Sequence, residues 1–236
     1  ARGGASADGT PVEVAACDHS AGQQVVPPAG GAVRVLDKCL DVAGGATANG
    51  TAVQLYTCNA SGAQTWRLGS DGTLVNPVSG RCLDVTGTAA GTALRIQDCS
   101  GAAGQVWRFP PTAVSGPGGT CADVANADPA SGTGVQLYGC NSSDAQRWSV
   151  PGDRTLRTLG KCLDVTNGDT ANGTPVQLWD CNGTNSQSWV TRADGTLQNP
   201  RSGRCLDDPD GAAKPGDRLR VWDCNTTAAQ RFVLGT

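Results

Sequence analysis

Cys162 to Trp189 reads CLDVTNGDTANGTPVQLWDCNGTNSQSW, and most of the 236-residue chain is built from copies of it. The unit opens on Cys162 with an aspartate two places on, Asp164, and a polar loop that turns at Asn172-Gly173. The alternating run Val176-Gln177-Leu178-Trp179 follows, then Cys181 and the closing Gln187-Ser188-Trp189. Side chains alternate between the faces of a strand, so Val176 and Leu178 point one way while Gln177 and Trp179 point the other. A large aromatic beside an amide on the polar face is the first hint of function.

Cys39, Cys82, Cys121, Cys162 and Cys205 each begin a Cys-x-Asp, at spacings of 43, 39, 41 and 43. A second cysteine follows 17 or 19 residues after each, at 58, 99, 140, 181 and 224. Each copy closes on Gln-x-aromatic: Gln64-Trp66, Gln105-Trp107, Gln146-Trp148, Gln187-Trp189 and Gln230-Phe232. The near-constant spacing predicts disulfides within repeats: Cys39–Cys58, Cys82–Cys99, Cys121–Cys140, Cys162–Cys181 and Cys205–Cys224. Residues 1–26 read as the back half of a sixth copy, with Val12–Cys17 aligning on Val53–Cys58 and Gln23-Gln24-Val25 standing for Gln-x-Trp. Counting back 19 from Cys17 puts its partner before Ala1, so the first repeat is expected to be truncated. Cys17 is then free, or bonded to material outside this sequence. The chain starts at Ala and holds no Met, which reads as a mature or excised piece.

The totals exclude several classes. Eleven cysteines spread evenly, with His19 as the only histidine, do not make zinc sites and imply disulfides in an oxidising compartment outside the cytoplasm. No metal or cofactor is expected. A net charge of −3 without a basic run gives nucleic acid no foothold, and no 18-residue apolar window is available to span a membrane. The apolar fraction is 38%, and 33 glycines with 13 prolines suit short strands joined by turns.

Three prolines between Pro110 and Pro117 mark a linker. The expected domains are 1–110, with repeats at about 1–26, 33–68 and 74–109, and 111–236, with repeats at about 114–150, 155–191 and 196–234. Within a repeat, strands are expected around Leu40-Val42, Val53-Tyr56 and Trp66-Leu68, with another after the Asp71-Gly72 turn. No stretch has helical periodicity. Three such units close into a three-fold, all-β barrel with no exposed strand edge. Each disulfide closes a loop worth on the order of 3 kcal/mol, which offsets a core poor in aromatics.

The array of CLDV, VQLW and QSW at this spacing resembles the ricin B-type lectin repeat, also called the family-13 carbohydrate-binding module, over essentially the whole chain. The resemblance implies two tandem β-trefoils that bind sugars. It further implies that the Asp of Cys-x-Asp holds sugar hydroxyls, and that the Gln and aromatic before the second Cys, with the closing Gln, complete the pocket. The chemistry stands on its own: a pyranose stacks its C–H face on an aromatic ring, a carboxylate accepts from neighbouring hydroxyls, and an amide both donates and accepts.

Differences among the copies separate scaffold from site. The closing position is Val25, Trp66, Trp107, Trp148, Trp189 or Phe232, always apolar, and reads as core. The slot two before the second Cys is Ala15, Tyr56, Gln97, Tyr138, Trp179 or Trp222; core positions do not swap Trp for Gln, so it faces solvent. Asp41, Gln54, Tyr56 and Gln64 form one candidate site. Asp123, Gln136, Tyr138 and Gln146 form a second, and Asp164, Gln177, Trp179 and Gln187 a third. The last repeat keeps Asp207 and Trp222 but has Arg220 in the amide slot, and the second full repeat, with Asp84, Arg95 and Gln97, reads as inactive. The residue before the closing Gln is Ala63, Gly104, Ala145, Ser186 or Ala229 where the family carries Asn, which implies modest affinity per site.

The expected function is multivalent carbohydrate binding, for galactose-type sugars first and xylan or arabinan second. The setting is secreted, as a free-standing lectin or as the binding part of a larger glycoside hydrolase with an upstream catalytic domain. No catalytic residues are expected: Glu13 is the only glutamate, and a nucleophile–histidine pair would have to use His19. A protein-binding trefoil of the protease-inhibitor kind is the rival, but it has no use for three copies of Asp, Gln and aromatic.

Overall fold

A computed structural model describes residues 1–234 except 19, 30, 70 and 193, with residues 27–29 described by their backbone. His19 therefore lies outside the described residues. The chain forms two compact units, Ala1–Phe109 and Pro110–Thr236. Among the described residues the regular elements are strands of two to five residues and single 3-10 turns. No helix is long and apolar enough to cross a membrane.

Each repeat is a small antiparallel sheet whose centre is the Cys-x-Asp strand paired with the strand before the second cysteine. Lys38–Val42 pairs with Val53–Tyr56 so that Asp41 faces Gln54 and Cys39 faces Tyr56. Thr120–Val124 with Val135–Gly139, and Lys161–Val165 with Val176–Trp179, keep the same register. The observed Val53–Tyr56 strand coincides with the expected one, because its alternation has one face to bury. Five disulfides join the expected pairs, with Cα–Cα distances of 5.0–5.1 Å.

A backbone bond from a loop glycine of one repeat to the inner strand of the next closes each unit into a ring of three. In the second unit Gly132 donates to Leu178, Gly173 to Val221 and Gly216 back to Leu137, at 2.7–2.9 Å. In the first unit Gly9 donates to Leu55, Gly50 to Ile96 and Gly91 back to Val14, at 2.8–2.9 Å. All six glycines have φ between +82° and +98°, a conformation that costs a side-chain-bearing residue strain, so the junction needs glycine.

The core of each unit is the inward alternate positions of these strands. Leu137, Leu178, Val221 and Phe232 in the second unit, and Leu55 and Ile96 in the first, are fully buried. The closing aromatics sit beneath the Cys-x-Asp strands, and each indole of Trp66, Trp148 and Trp189 donates to the carbonyl of Leu40, Ala122 and Leu163, at 2.9–3.0 Å. Two closing residues depart from the expectation of a buried core. Val25 is 39% exposed and Trp107 is half-buried. Both belong to the first unit, where residues 1–26 contribute the short strand Thr10–Pro11, a bridge from Glu13 to Ala93 and the start of the strand Val26–Ala29.

Candidate functional site

Beyond each second cysteine the chain must turn back under its own repeat, and local polar groups make it do so. The Asn after the cysteine accepts from the N–H two residues on: Asn59 from Ser61, Asn141 from Ser143, Asn182 from Thr184 and Asn225 from Thr227, at 2.9–3.1 Å. The closing Gln then straps the turn. Gln64 Oε1 accepts from Asn59 N–H at 2.8 Å, while its Nε2 donates to the Thr57 carbonyl at 3.0 Å and to Asp41 Oδ2 at 3.1 Å. Gln146 repeats all three bonds on Asn141, Gly139 and Asp123.

This strap brings the sequence-predicted groups together in three places. Asp41 Oδ1 accepts from Gln54 Nε2 at 3.0 Å, and Tyr56 on the same strand face is 40% exposed. Asp123 Oδ1 accepts from Gln136 at 3.1 Å beside Tyr138, 46% exposed. Asp164 Oδ1 accepts from Gln177 at 3.1 Å beside Trp179, 40% exposed. Among the described residues no Lys or Arg forms an ion pair with Asp41, Asp123 or Asp164. Each carboxylate is buried and held by two neutral donors, while a carboxylate offers about four acceptor positions. What remains suits hydroxyl donors next to an exposed ring.

The two remaining full repeats are wired differently. Arg95 Nε lies 2.9 Å from Asp84 Oδ2, with Gln97 in the aromatic slot. Arg220 Nε lies 2.9 Å from Asp207 Oδ2, its Nη2 donates to the Pro209 carbonyl, and its guanidinium covers the Trp222 ring. Here the arginine occupies both the carboxylate and the ring face, so Asp207 and Trp222 are close together but engaged with each other's neighbour.

The closing glutamines Gln64, Gln146 and Gln187 are 0–2% exposed and their amides are spent on internal bonds. Gln64 and Gln146 stand behind the carboxylates and position them. In the third site Gln187 braces only the turn, and Ser186 Oγ takes over the Asp164 Oδ2 position at 3.1 Å. Ser186 is a polar group that the sequence reading had passed over as a departure from Asn.

Walls supplied by the neighbouring repeat were also missed. A Cβ on Gly132 would stand 3.8 Å from the Trp179 ring, and one on Gly173 would stand 3.6 Å from Trp222. Next to Trp179, Asp180 is clamped between Lys161 and Ser131, which hold its carboxyl below the ordinary 3.8. Next to Tyr56, Asp8 is held below the same value by Lys38 and then Thr57. Contacts between residues 49 apart leave no local pattern; only the recurrence of a loop glycine before each VQLY-like run signals them.

Rings of three small antiparallel sheets, five of the six here tied by a disulfide, are β-trefoils, and this chain is a tandem pair of them. It belongs to the ricin-type beta-trefoil lectin domain family, whose model matches residues 1–107 and 111–232. Among solved structures it is similar to an agglutinin from Abrus precatorius, at 24% identity over 98% of this chain and 90% of that one, with a TM-score of 0.46. It is similar to a non-toxic homologue of type II RIPs from Momordica charantia, solved with α-methyl-D-galactoside, at 23% identity, 100% and 91% coverage and a TM-score of 0.47. An exo-β-1,3-galactanase from Clostridium thermocellum matches at 15% identity over 84% of this chain and 54% of that one, with a TM-score of 0.49. Curated proteins compared by sequence give no match.

Proposed function

We propose that the chain binds carbohydrate through three sites: Asp41/Gln54/Tyr56, Asp123/Gln136/Tyr138 and Asp164/Gln177/Trp179. The observation that carries this reading is the split among the five carboxylates. Where the next slot holds an exposed ring, the buried carboxylate has no cation and keeps free acceptor positions; where an arginine is present it pairs with the carboxylate, and in the last repeat it covers the ring as well. A buried carboxylate with spare acceptors gains from hydroxyl donors, and vicinal sugar hydroxyls supply two at once.

The ligand we favour is galactose-type. An axial hydroxyl leaves one continuous C–H face for the ring while its neighbour reaches the carboxylate, and family membership points the same way. Each opening is shallow, so affinity per site is modest and repeated residues on a glycan raise it through effective concentration. The chain acts by binding and not by catalysis, in a secreted setting that five disulfides favour, alone or beside a catalytic domain.

Titration followed by nuclear magnetic resonance, with galactose, lactose, xylo-oligosaccharides and arabino-oligosaccharides, tests this. Galactosides should shift the Tyr56, Tyr138 and Trp179 ring signals. Shifts with xylo- or arabino-oligosaccharides alone would move the assignment to those polymers. No shift with any sugar, together with capture of a protein that sugars do not displace, would overturn it.

A further inference from the structure

Each repeat lends one backbone residue to the amide slot of the next repeat in its ring. Pro11 pairs with Gln54, Ala52 with Arg95, Gly134 with Gln177 and Pro175 with Arg220, and Arg218 closes the second ring by pairing with Gln136. Two of the three open sites therefore meet an uncharged residue here, and the Asp123 site meets a guanidinium. The Asp41 and Asp164 sites have a different cation nearby, but each is paired: Lys38 with Asp8 and Lys161 with Asp180. Thr120 takes that place before Cys121, so Arg218 is the charge that sets the Asp123 site apart.

Residues opposite one another across a sheet project to one face, and so do alternate residues of a strand. Arg218 accordingly shares a face with Gln136, and Gly134, Gln136 and Tyr138 lie in line on it. The arginine leans to the Gly134 end of that line, where a Cβ on residue 134 would stand 3.2 Å from its Nε and 3.4 Å from its Cζ. Gly134 is not among the glycines of positive φ, so its use here is the room it leaves and not its backbone freedom. Arg218 is exposed, and among the described residues its side chain has no hydrogen bond or ion pair. The neighbouring Asp217 accepts from Lys214 N–H at 2.9 Å. Arg95 and Arg220, by contrast, are spent on Asp84 and Asp207.

A guanidinium presents five N–H donors in a flat fork that matches a carboxylate and has nothing comparable to gain from a lone hydroxyl. The line from Gly134 to Tyr138 is about 13 Å long at the rise of a strand, the reach of two linked sugar residues rather than one. We propose that the Asp123/Gln136/Tyr138 site is a two-residue site for an acidic glycan. A neutral residue lies on Tyr138 with its hydroxyls on Asp123 and Gln136, and the carboxylate of an adjoining hexuronic acid lies on Arg218 in a charge-assisted pair. The inference rests on the sugar-binding reading above and adds a ligand class to one of its sites. With Pro11 and Gly134 beside their amides, the Asp41 and Asp164 sites draw no benefit from that carboxylate.

The test titrates the full chain with glucuronosyl-(1→6)-galactose and with its neutral counterpart, glucosyl-(1→6)-galactose, and reads the ring signals of Tyr56, Tyr138 and Trp179 separately. The acidic disaccharide should bind about tenfold tighter at Tyr138, with no such preference at Tyr56 or Trp179. High salt should shrink the preference. Arg218→Gln should erase it, so that the two disaccharides titrate alike. Lys214→Gln removes a charge of the same sign from the same loop and should preserve it. Equal titration of the two disaccharides at Tyr138 in the unaltered chain overturns the proposal and leaves the sugar-binding reading standing. A preference lost equally in Lys214→Gln and Arg218→Gln overturns it too, since a diffuse positive field would then be its source. Rings that respond to neither disaccharide overturn this proposal and the sugar-binding reading together.

Discussion

The Arg220 guanidinium lies 4.2 Å above the Trp222 ring, while its Nε holds Asp207 at 2.9 Å. A cation over an indole is favourable by about 0.5–2 kcal/mol, so the last repeat satisfies itself. Gln occupies this slot in the three open sites. Arg220→Gln should therefore uncover both groups and add one galactoside site, read as a new Trp222 ring shift on titration. A Trp222 signal that changes with the substitution but ignores sugar would show that the arginine is not what closes the site.

Trp179→Ala should weaken binding at its site tenfold or more, the loss of about 1–3 kcal/mol of ring contact, with little change in melting temperature because the ring is partly in water. Trp189→Ala should do the reverse. It removes a buried ring and its bond to the Leu163 carbonyl, at a cost of about 3–5 kcal/mol. Per-site titration beside calorimetric melting checks both, and a sharp loss of stability in Trp179→Ala would mean the faces are assigned the wrong way round.

Ser186→Ala should lower affinity at the third site alone, because Asp164 loses the donor that fixes its Oδ2. A neutral hydrogen bond of this kind contributes about 1 kcal/mol, so a loss of several-fold is expected at Trp179 while the Tyr56 and Tyr138 sites titrate as before.

Asp208 sits where four other repeats carry Val, 1% exposed, with one carboxyl oxygen on Ala213 N–H and the other without a partner among the described residues. Burial pushes its carboxyl above the ordinary 3.8. A raised acid favours the neutral form in the folded state, so the folded protein is penalised as pH rises from 3.8 through the folded value and beyond. Asp208→Asn should thus raise the melting temperature at pH 7 and bring no gain near pH 3. A gain of equal size at both pH values would point to packing in place of charge.

The repeat, the disulfide pairs and the solvent-facing ring were legible because each recurs at fixed spacing, and copies that swap Tyr, Gln and Trp reveal an exposed slot. Two things were not. Invariance of Gln64, Gln146 and Gln187 could not distinguish contact with a ligand from support of the carboxylate or the turn behind it, since all demand an amide; only burial separates them. An apolar letter at Val25 and Trp107 could not report that these two stay partly exposed while Trp66, Trp148 and Phe232 are covered. Core membership depends on the covering element, and a residue does not encode its own cover.

The glycine junction that closes each ring has a bearing on minimal size. Trp179 takes one wall from Gly132 and Trp222 takes one from Gly173, so the boundary of each of these rings is shared between two repeats. The repeat of Cys162 cut out alone would keep Asp164, Gln177 and Trp179 yet lose the wall at Gly132. The surroundings of that ring are a property of adjacency, and two neighbouring repeats are the smallest unit that selection or design can tune there.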